Sequence, residues 1–335
     1  MMEQRVNGAV TAPRQATGRE VRRPWLHVLV VGLTLWIAAT AVTVLTSNTT
    51  LLPTVILLGS FLVPVTFVVW AYGRRSELVD DHTFLRCALT GGVLGVLGAS
   101  LLESYLLRPG IFQFFGVGFI EEFVKLAALA WCARGLRAHT ARDGALLGAT
   151  VGFSFAALES AGYAFNALFS EHGGLSLGTL IQTELLRGLL TPFGHGLWTA
   201  IAGAVLLATS PRGRLRITLP AVLAYVAVSV LHGLWDSMNG IAILLTVLVT
   251  GHSWQVASLE QSQVPQITAE QADYFTAFDY GGLALVTLIG FLLLRLVLRH
   301  RRIRAADGAT AGDPGPSEDR AADTPTDPEG ARPRW

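Results

Sequence analysis

Two carboxylates and a lysine stand together in one apolar run, Phe119-Ile120-Glu121-Glu122-Phe123-Val124-Lys125. On a helix Lys125 lies i+4 from Glu121 and i+3 from Glu122, beside both. It is the only lysine in a chain that otherwise uses arginine for its basic positions. A guanidinium would have supplied a similar charge, so the choice points to a need for a compact ammonium. A second apolar run carries Glu159, with Phe155, Tyr163 and Asn166 on the same helical face. Glu159 has no basic neighbour in its own run, so its partner comes from another element or it is protonated. Two further runs echo one another: Gly194-His195-Gly196-Leu197-Trp198 and Leu231-His232-Gly233-Leu234-Trp235-Asp236. Each sets a histidine one turn from a tryptophan, and the second adds Asp236 one turn beyond His232. Carboxylates and imidazoles that can meet are the groups that activate water, bind a metal or relay protons. A structural ion pair would explain one Lys–Glu contact but not the second carboxylate.

The elements that must position these groups are membrane helices. Of 335 residues, 51% are hydrophobic and 15% charged, and the mean hydropathy is +0.48. Soluble domains carry roughly 25% charged residues and do not need so much apolar sequence. Apolar runs fall at about Trp25–Leu45, Leu51–Tyr72, Phe84–Leu107, Ile111–Leu136, Gly144–Leu168, Leu189–Ala208, Thr218–Val249 and Tyr280–Leu298. Each is near or above the ~20 residues that span a bilayer, so the expected fold is an all-α, polytopic bundle of about eight transmembrane helices. The seventh run is too long for one straight span, and Asn239-Gly240 is the expected break. Arginines cluster in alternate connections, at 19–23, 74–75, 134–142, 212–216 and 299–304, whereas the 251–279 loop has none. By the positive-inside rule both termini are cytoplasmic. The expected organisation is a disordered arm over 1–24, a transmembrane domain over 25–304 with its motif core at 116–239, and a disordered cytoplasmic tail over 305–335. A net charge of +1 gives no reason to expect nucleic acid. Cys87 and Cys132 read as small buried apolar residues, with no disulfide framework.

Depth links the polar residues. At ~1.5 Å per residue, Glu121 and Glu159 lie roughly 15 Å from the outer ends of their helices. His195 lies about 9 Å from the start of its run, and His232 about 10 Å below the outer surface of a ~30 Å core. All four sit at the midplane or in the outer half, so antiparallel packing can bring them to one cavity. Ionisable groups at that depth are costly and are functional-site hypotheses by default.

Taken in order on successive helices, Glu121-Glu122-x-x-Lys125, Phe155-x-x-x-Glu159, His195-x-x-Trp198 and His232-x-x-Trp235-Asp236 resemble the PrsW family of intramembrane proteases, relatives of the CAAX-processing and bacteriocin-processing proteases. The resemblance covers about Gly116 to Asn239. It implies a peptide-bond hydrolase of the bacterial cytoplasmic membrane that takes transmembrane protein substrates from the lipid bilayer, in some members an anti-sigma factor cut near its outer side. Glu121, Glu122, Lys125, Glu159, His195, His232 and Asp236 are then the catalytic candidates.

Two mechanisms stay open. In a glutamate enzyme, Glu121 or Glu122 is the general base, Lys125 holds the other ionised, and the histidines orient water or the oxyanion, with Asp236 supporting His232. In a metal enzyme, His195, His232 and a carboxylate such as Glu159 bind Zn2+ and another glutamate is the base. The wider superfamily typically places histidine where this chain has Glu159, and no HExxH pattern is present. The sequence favours the glutamate version. The rival functions are a proton-coupled membrane transporter, for which the short HGLW echo is a weak repeat, and a non-catalytic binding or immunity protein that uses the fold as a scaffold. Glu184 and Arg187 are read as anchors at the outer interface, and Glu103 as interfacial.

Overall fold

The structure is a computed structural model that describes residues 23–110, 112–136, 139–169, 174–210, 214–261 and 263–310. Within them the chain is helical throughout, with one isolated bridge between Phe169 and Leu175 and no strand. The helices are α1 (Pro24–Thr46), α2 (Leu52–Tyr72), α3 (Asp81–Leu89), α4 (Gly95–Leu106), α5 (Gln113–Ala133), α6 (Ala141–Ala167), α7 (Leu177–Leu190), α8 (His195–Ala208), α9 (Leu219–Asp236), α10 (Met238–Thr250), α11 (Ser253–Glu260) and α12 (Ala272–Thr310).

Among the described residues seven spans are long and apolar enough to cross a bilayer: α1, α2, α3 joined to α4, α6, α7 joined to α8, α9, and α12. At 21 residues α5 is as long, and it differs by carrying Glu121, Glu122 and Lys125. It packs against α4, α6 and α9. The protein is a multi-pass membrane bundle. Its outer helices show lipid the residues that a soluble protein would bury, such as Leu35 on α1 and Leu101 on α4.

Several boundaries depart from the sequence reading, each for a physical reason. The sixth run was expected to begin at Leu189. Instead α7 precedes it, and Pro192 sits in a single 3₁₀ turn, Thr191–Phe193, that breaks α7 from α8. The seventh run breaks at Ser237, just ahead of the expected Asn239-Gly240, leaving α10 as a 13-residue piece too short to cross. The 251–279 connection holds α11 and is fastened by Gln255 and Gln271, whose buried side-chain amides donate to one another at 2.8 and 3.0 Å. The last helix continues to Thr310, past the expected start of the tail. Residues 1–22 of the expected arm and 311–335 of the tail lie outside the described residues. Cys87 and Cys132 are both free and buried.

The centre of the bundle is the crossing of α6 on α8, and glycine makes it possible. Gly144, Gly148 and Gly152 recur every fourth residue on one face of α6. A Cβ on each would stand 2.3 Å from the carbonyl oxygen of Gly203, Thr199 and His195 respectively. Small residues in this repeat let two membrane helices touch backbone to backbone. A similar approach of α5 to α9 depends on Gly118, where a Cβ would be 2.6 Å from the Ser229 carbonyl, and on Gly233, where it would be 2.8 Å from Phe115 Cα. The first contact sets the height of His195 against α6; the second sets His232 against α5. Gly148→Leu is expected to destabilise the protein by about 1–3 kcal/mol or more, as overpacking does in a close-packed interior. Thermal unfolding in detergent checks this, with Gly178→Ala, which meets nothing within 4 Å, as the silent control.

Candidate active site

The seven residues singled out from sequence come together. On α5, Lys125 spends all three ammonium hydrogens at once: on Glu121 Oε2, Glu122 Oε1 and His195 Nδ1, each at 2.9 Å. Its charge also lies 4.2 Å from the centre of the Phe155 ring. Lys125 and Glu122 are fully buried, and Glu121 is 4% exposed.

These contacts fix the tautomer of His195 and place a proton on Nδ1 of His232. Lysine can only donate, so His195 Nδ1 accepts and its Nε2 carries the proton, which goes to Glu159 Oε2 at 2.9 Å. His232 Nδ1 donates to Glu122 Oε1 at 3.0 Å. Its Nε2 faces Asp236 Oδ2 at 3.4 Å and Glu121 Oε2 at 3.7 Å. The two echoed motifs meet each other: the imidazoles pack edge to face at 5.0 Å and Trp198 meets Trp235 at 6.4 Å. The glycine after each histidine serves this packing, Gly196 taking the Phe153 ring and Gly233 the α5 backbone.

The adjacent glutamates have different surroundings, because successive helix positions point ~100° apart. Glu121 lines a cavity of about 540 Å³ between α4, α5, α6 and α9. Glu122 lines neither that cavity nor its neighbour and accepts from Lys125, His232 and Thr199 instead. Phe155, Glu159, Tyr163 and Asn166, placed on one face from sequence, all line the larger cavity, as does Asp236. A smaller cavity of about 110 Å³ lies on the other side of Glu159 and reaches His195 and His232.

Two residues read from sequence as interfacial belong here. Arg187 donates to Glu159 Oε2 at 2.5 Å and to Ser160 Oγ at 2.8 Å, lies 4.3 Å from the Tyr163 ring centre, and lines both cavities. It is the partner that Glu159 had to find in another span. Glu103 also lines the larger cavity, with one carboxylate oxygen buried and without a hydrogen-bond partner. Glu184 is buried rather than at the interface, and accepts from Trp36 Nε1 of α1 at 2.8 Å.

Among the described residues one group of potential metal ligands converges: Glu121, His195 and His232, whose ligand atoms lie within 4.8 Å of one another. The third member is Glu121, not the Glu159 expected from sequence. Glu159 instead holds the far nitrogen of His195, as Glu122 holds that of His232. Such carboxylates commonly orient metal-binding imidazoles. The donor chemistry fits a divalent ion in two ways. His232 Nε2, unprotonated, would point its lone pair at two carboxylate oxygens, an arrangement that asks for a cation or a proton between them. Also, four carboxylates, Glu121, Glu122, Glu159 and Asp236, surround only two fixed cations, Lys125 and Arg187.

The fold defines a polytopic membrane protein with a buried cluster of carboxylates and imidazoles at its centre. Residues 82–259 match the PrsW family of intramembrane metalloproteases, and the chain belongs to that family. No curated protein and no solved structure matches the chain.

Proposed function

We propose that the protein cleaves membrane-protein substrates by metal-assisted hydrolysis at the Glu121, His195 and His232 cluster. The observation that carries this reading is that two imidazoles and one carboxylate converge while Glu122 and Glu159 occupy the far nitrogens of both rings. The donor set thus favours the metal version over the purely glutamate one. Glu121 Oε2, His195 and His232 would hold the ion. A divalent ion supplies Lewis-acid polarisation of a carbonyl and makes a water more acidic.

The remaining side chains have separate tasks. Glu159 and Glu122 hold protons at His195 Nε2 and His232 Nδ1, which turns His195 Nδ1 and His232 Nε2 toward the cluster; at His195 Nδ1 an ion would take the place of the Lys125 hydrogen bond. Lys125 offsets the charge of the two glutamates. Asp236 Oδ2, at the cavity wall and next to His232, takes the proton from the attacking water; Glu122 has no access to the cavity and Glu159 is tied to Arg187 and His195. Arg187 and Tyr163 flank the space where a scissile peptide would lie, and donate to its carbonyl. Substrate enters from the end of the bundle formed by the C-terminal turns of α4 and α6 and the first turn of α5. Under the positive-inside reading this is the outer half of a bacterial cytoplasmic membrane, with both termini inside. A single-span protein such as an anti-sigma factor, cut near its outer side, fits that position.

The test is cleavage of a panel of single-span membrane proteins in proteoliposomes. Wild type is expected to cut, to stop on treatment with a tight zinc chelator and to recover on adding Zn2+, while His195→Ala and His232→Ala stay inactive. Cleavage that persists undiminished in both variants would remove the assigned site. Cleavage that is lost in both variants but unaffected by the chelator would return the mechanism to the glutamate version.

A further inference from the structure

A third cavity, of about 460 Å³, lies between α2, α6, α8 and α12 and is separate from the two at the candidate active site. Its volume falls in the roughly 300–1,000 Å³ range of small-molecule sites. Apart from Arg74 and Arg142, every residue lining it is apolar. Order along the helices gives the cavity a direction. The lining descends from Arg74, two residues past the end of α2, to Trp70 and Phe67 on that helix. On α6 it descends from Arg142 through Ala145 and Ala149 to Phe153, and on α12 from Leu298 through Leu294 to Phe291. The two arginines therefore share the end nearest the helix termini, and the aromatic floor lies about two to three turns deeper in the membrane.

The arginines are held there without a counter-charge. Arg142 Nη2 donates to the Arg74 carbonyl oxygen at 3.3 Å, and the Arg74 guanidinium stands 4.7 Å from the centre of the Trp70 ring. Among the described residues neither forms an ion pair, and no carboxylate lines the cavity. Two guanidiniums gathered at the mouth of an apolar slot would repel each other unless an anion joined them. Guanidinium is also the side chain best matched to phosphate oxygens. An occupant must therefore be anionic at one end and apolar for the rest of its length, and must reach the slot from within the bilayer.

We propose that this cavity binds an anionic phospholipid, its headgroup phosphate on Arg74 and Arg142 and one acyl chain along Trp70, Phe67 and Phe153. Basic pockets between membrane helices take anionic headgroups in this way. The deep end adjoins the active site. Phe67 stacks on Phe153 at 4.0 Å, and Phe153 fills the space over Gly196, the residue after His195. The lipid tail thus supports the packing that sets the height of His195.

The test is native mass spectrometry of the full chain, delipidated in detergent and titrated with phosphatidylglycerol, phosphatidylcholine or glycerol 3-phosphate. Phosphatidylglycerol is expected to bind about tenfold or more tightly than phosphatidylcholine, with each arginine contributing several-fold. That preference is lost in Arg74→Gln/Arg142→Gln and kept in Arg134→Gln, whose guanidinium stacks on Trp131 elsewhere. Ala145→Phe, which fills the slot and leaves both arginines in place, is expected to lose the lipid as well. Equal binding of the two lipids, an unchanged preference in the double variant, or full competition by glycerol 3-phosphate would each overturn the proposal. So would an unchanged affinity in Ala145→Phe.

Discussion

Glu121→Gln is expected to lower turnover of a membrane substrate by at least about 10³-fold while the neighbouring Glu122→Gln lowers it by roughly 10–100-fold. The two residues are adjacent in sequence and both bond Lys125 at 2.9 Å, so a role limited to pairing the lysine would give equal effects. The geometry divides them. Glu121 stands in the cavity at 3.6 Å from His195 Nδ1 and 3.7 Å from His232 Nε2, where its loss would remove one of the three proposed ligands. Glu122 acts through the far side of His232, and the uncharged amide can still accept a hydrogen bond from Nδ1. Single-turnover cleavage by both variants, each checked for wild-type thermal unfolding, measures the difference. Equal losses, or a larger loss for Glu122→Gln, would contradict the assignment.

Lys125→Met is expected to be the most destabilising change in the site, at about 3–5 kcal/mol, because it strands two buried carboxylates side by side. The size follows from burial: Lys125 and Glu122 have no exposed side-chain surface, so water cannot replace the lost partner. Lys125→Arg is expected to recover little. Three acceptors converge on one nitrogen here, and a planar guanidinium spreads its donors over a fork. That requirement accounts for the single lysine in a chain that otherwise uses arginine. Adding Glu122→Gln to Lys125→Met should return a substantial part of the stability by removing one of the stranded charges. Thermal unfolding in detergent of the two single variants and the double gives the coupling. A loss under about 1 kcal/mol for Lys125→Met would mean that the glutamates are not both ionised around the ammonium.

Much of this was legible in the sequence because a bilayer leaves little freedom. The apolar runs marked the spans, and the Glu121, Glu159, His195 and His232 depths agreed before any contact was known. Periodicity also placed Phe155, Glu159, Tyr163 and Asn166 on one face, and that face lines the cavity. The segment carrying Glu184 and Arg187 was harder to place. Leu177–Leu190 is less apolar than the runs around it, so α7 read as a connection and its arginine as an anchor. The contact from Arg187 to Glu159 spans 28 residues across a helix reversal, a distance over which spacing says nothing. Glu103 failed for a similar reason, since position near a helix end does not reveal that the neighbouring helices leave a cavity there. The choice between Glu121 and Glu122 needed the rotation of α5, which Gly118 fixes against α9. One signal was available and unused: Gly144, Gly148 and Gly152 form a four-residue glycine repeat, which on a membrane helix announces a close crossing.

The most direct test of the site is its metal stoichiometry. The purified protein would be equilibrated with Zn2+ in detergent, dialysed and assayed by elemental mass spectrometry beside Glu121→Gln, His195→Ala and His232→Ala. The account predicts about one ion per wild-type chain, by the usual stoichiometry of a three-ligand catalytic site, and marked loss in all three variants. Wild-type protein that cleaves its substrate with only a trace of bound metal would contradict it, as would a full complement of metal in all three variants.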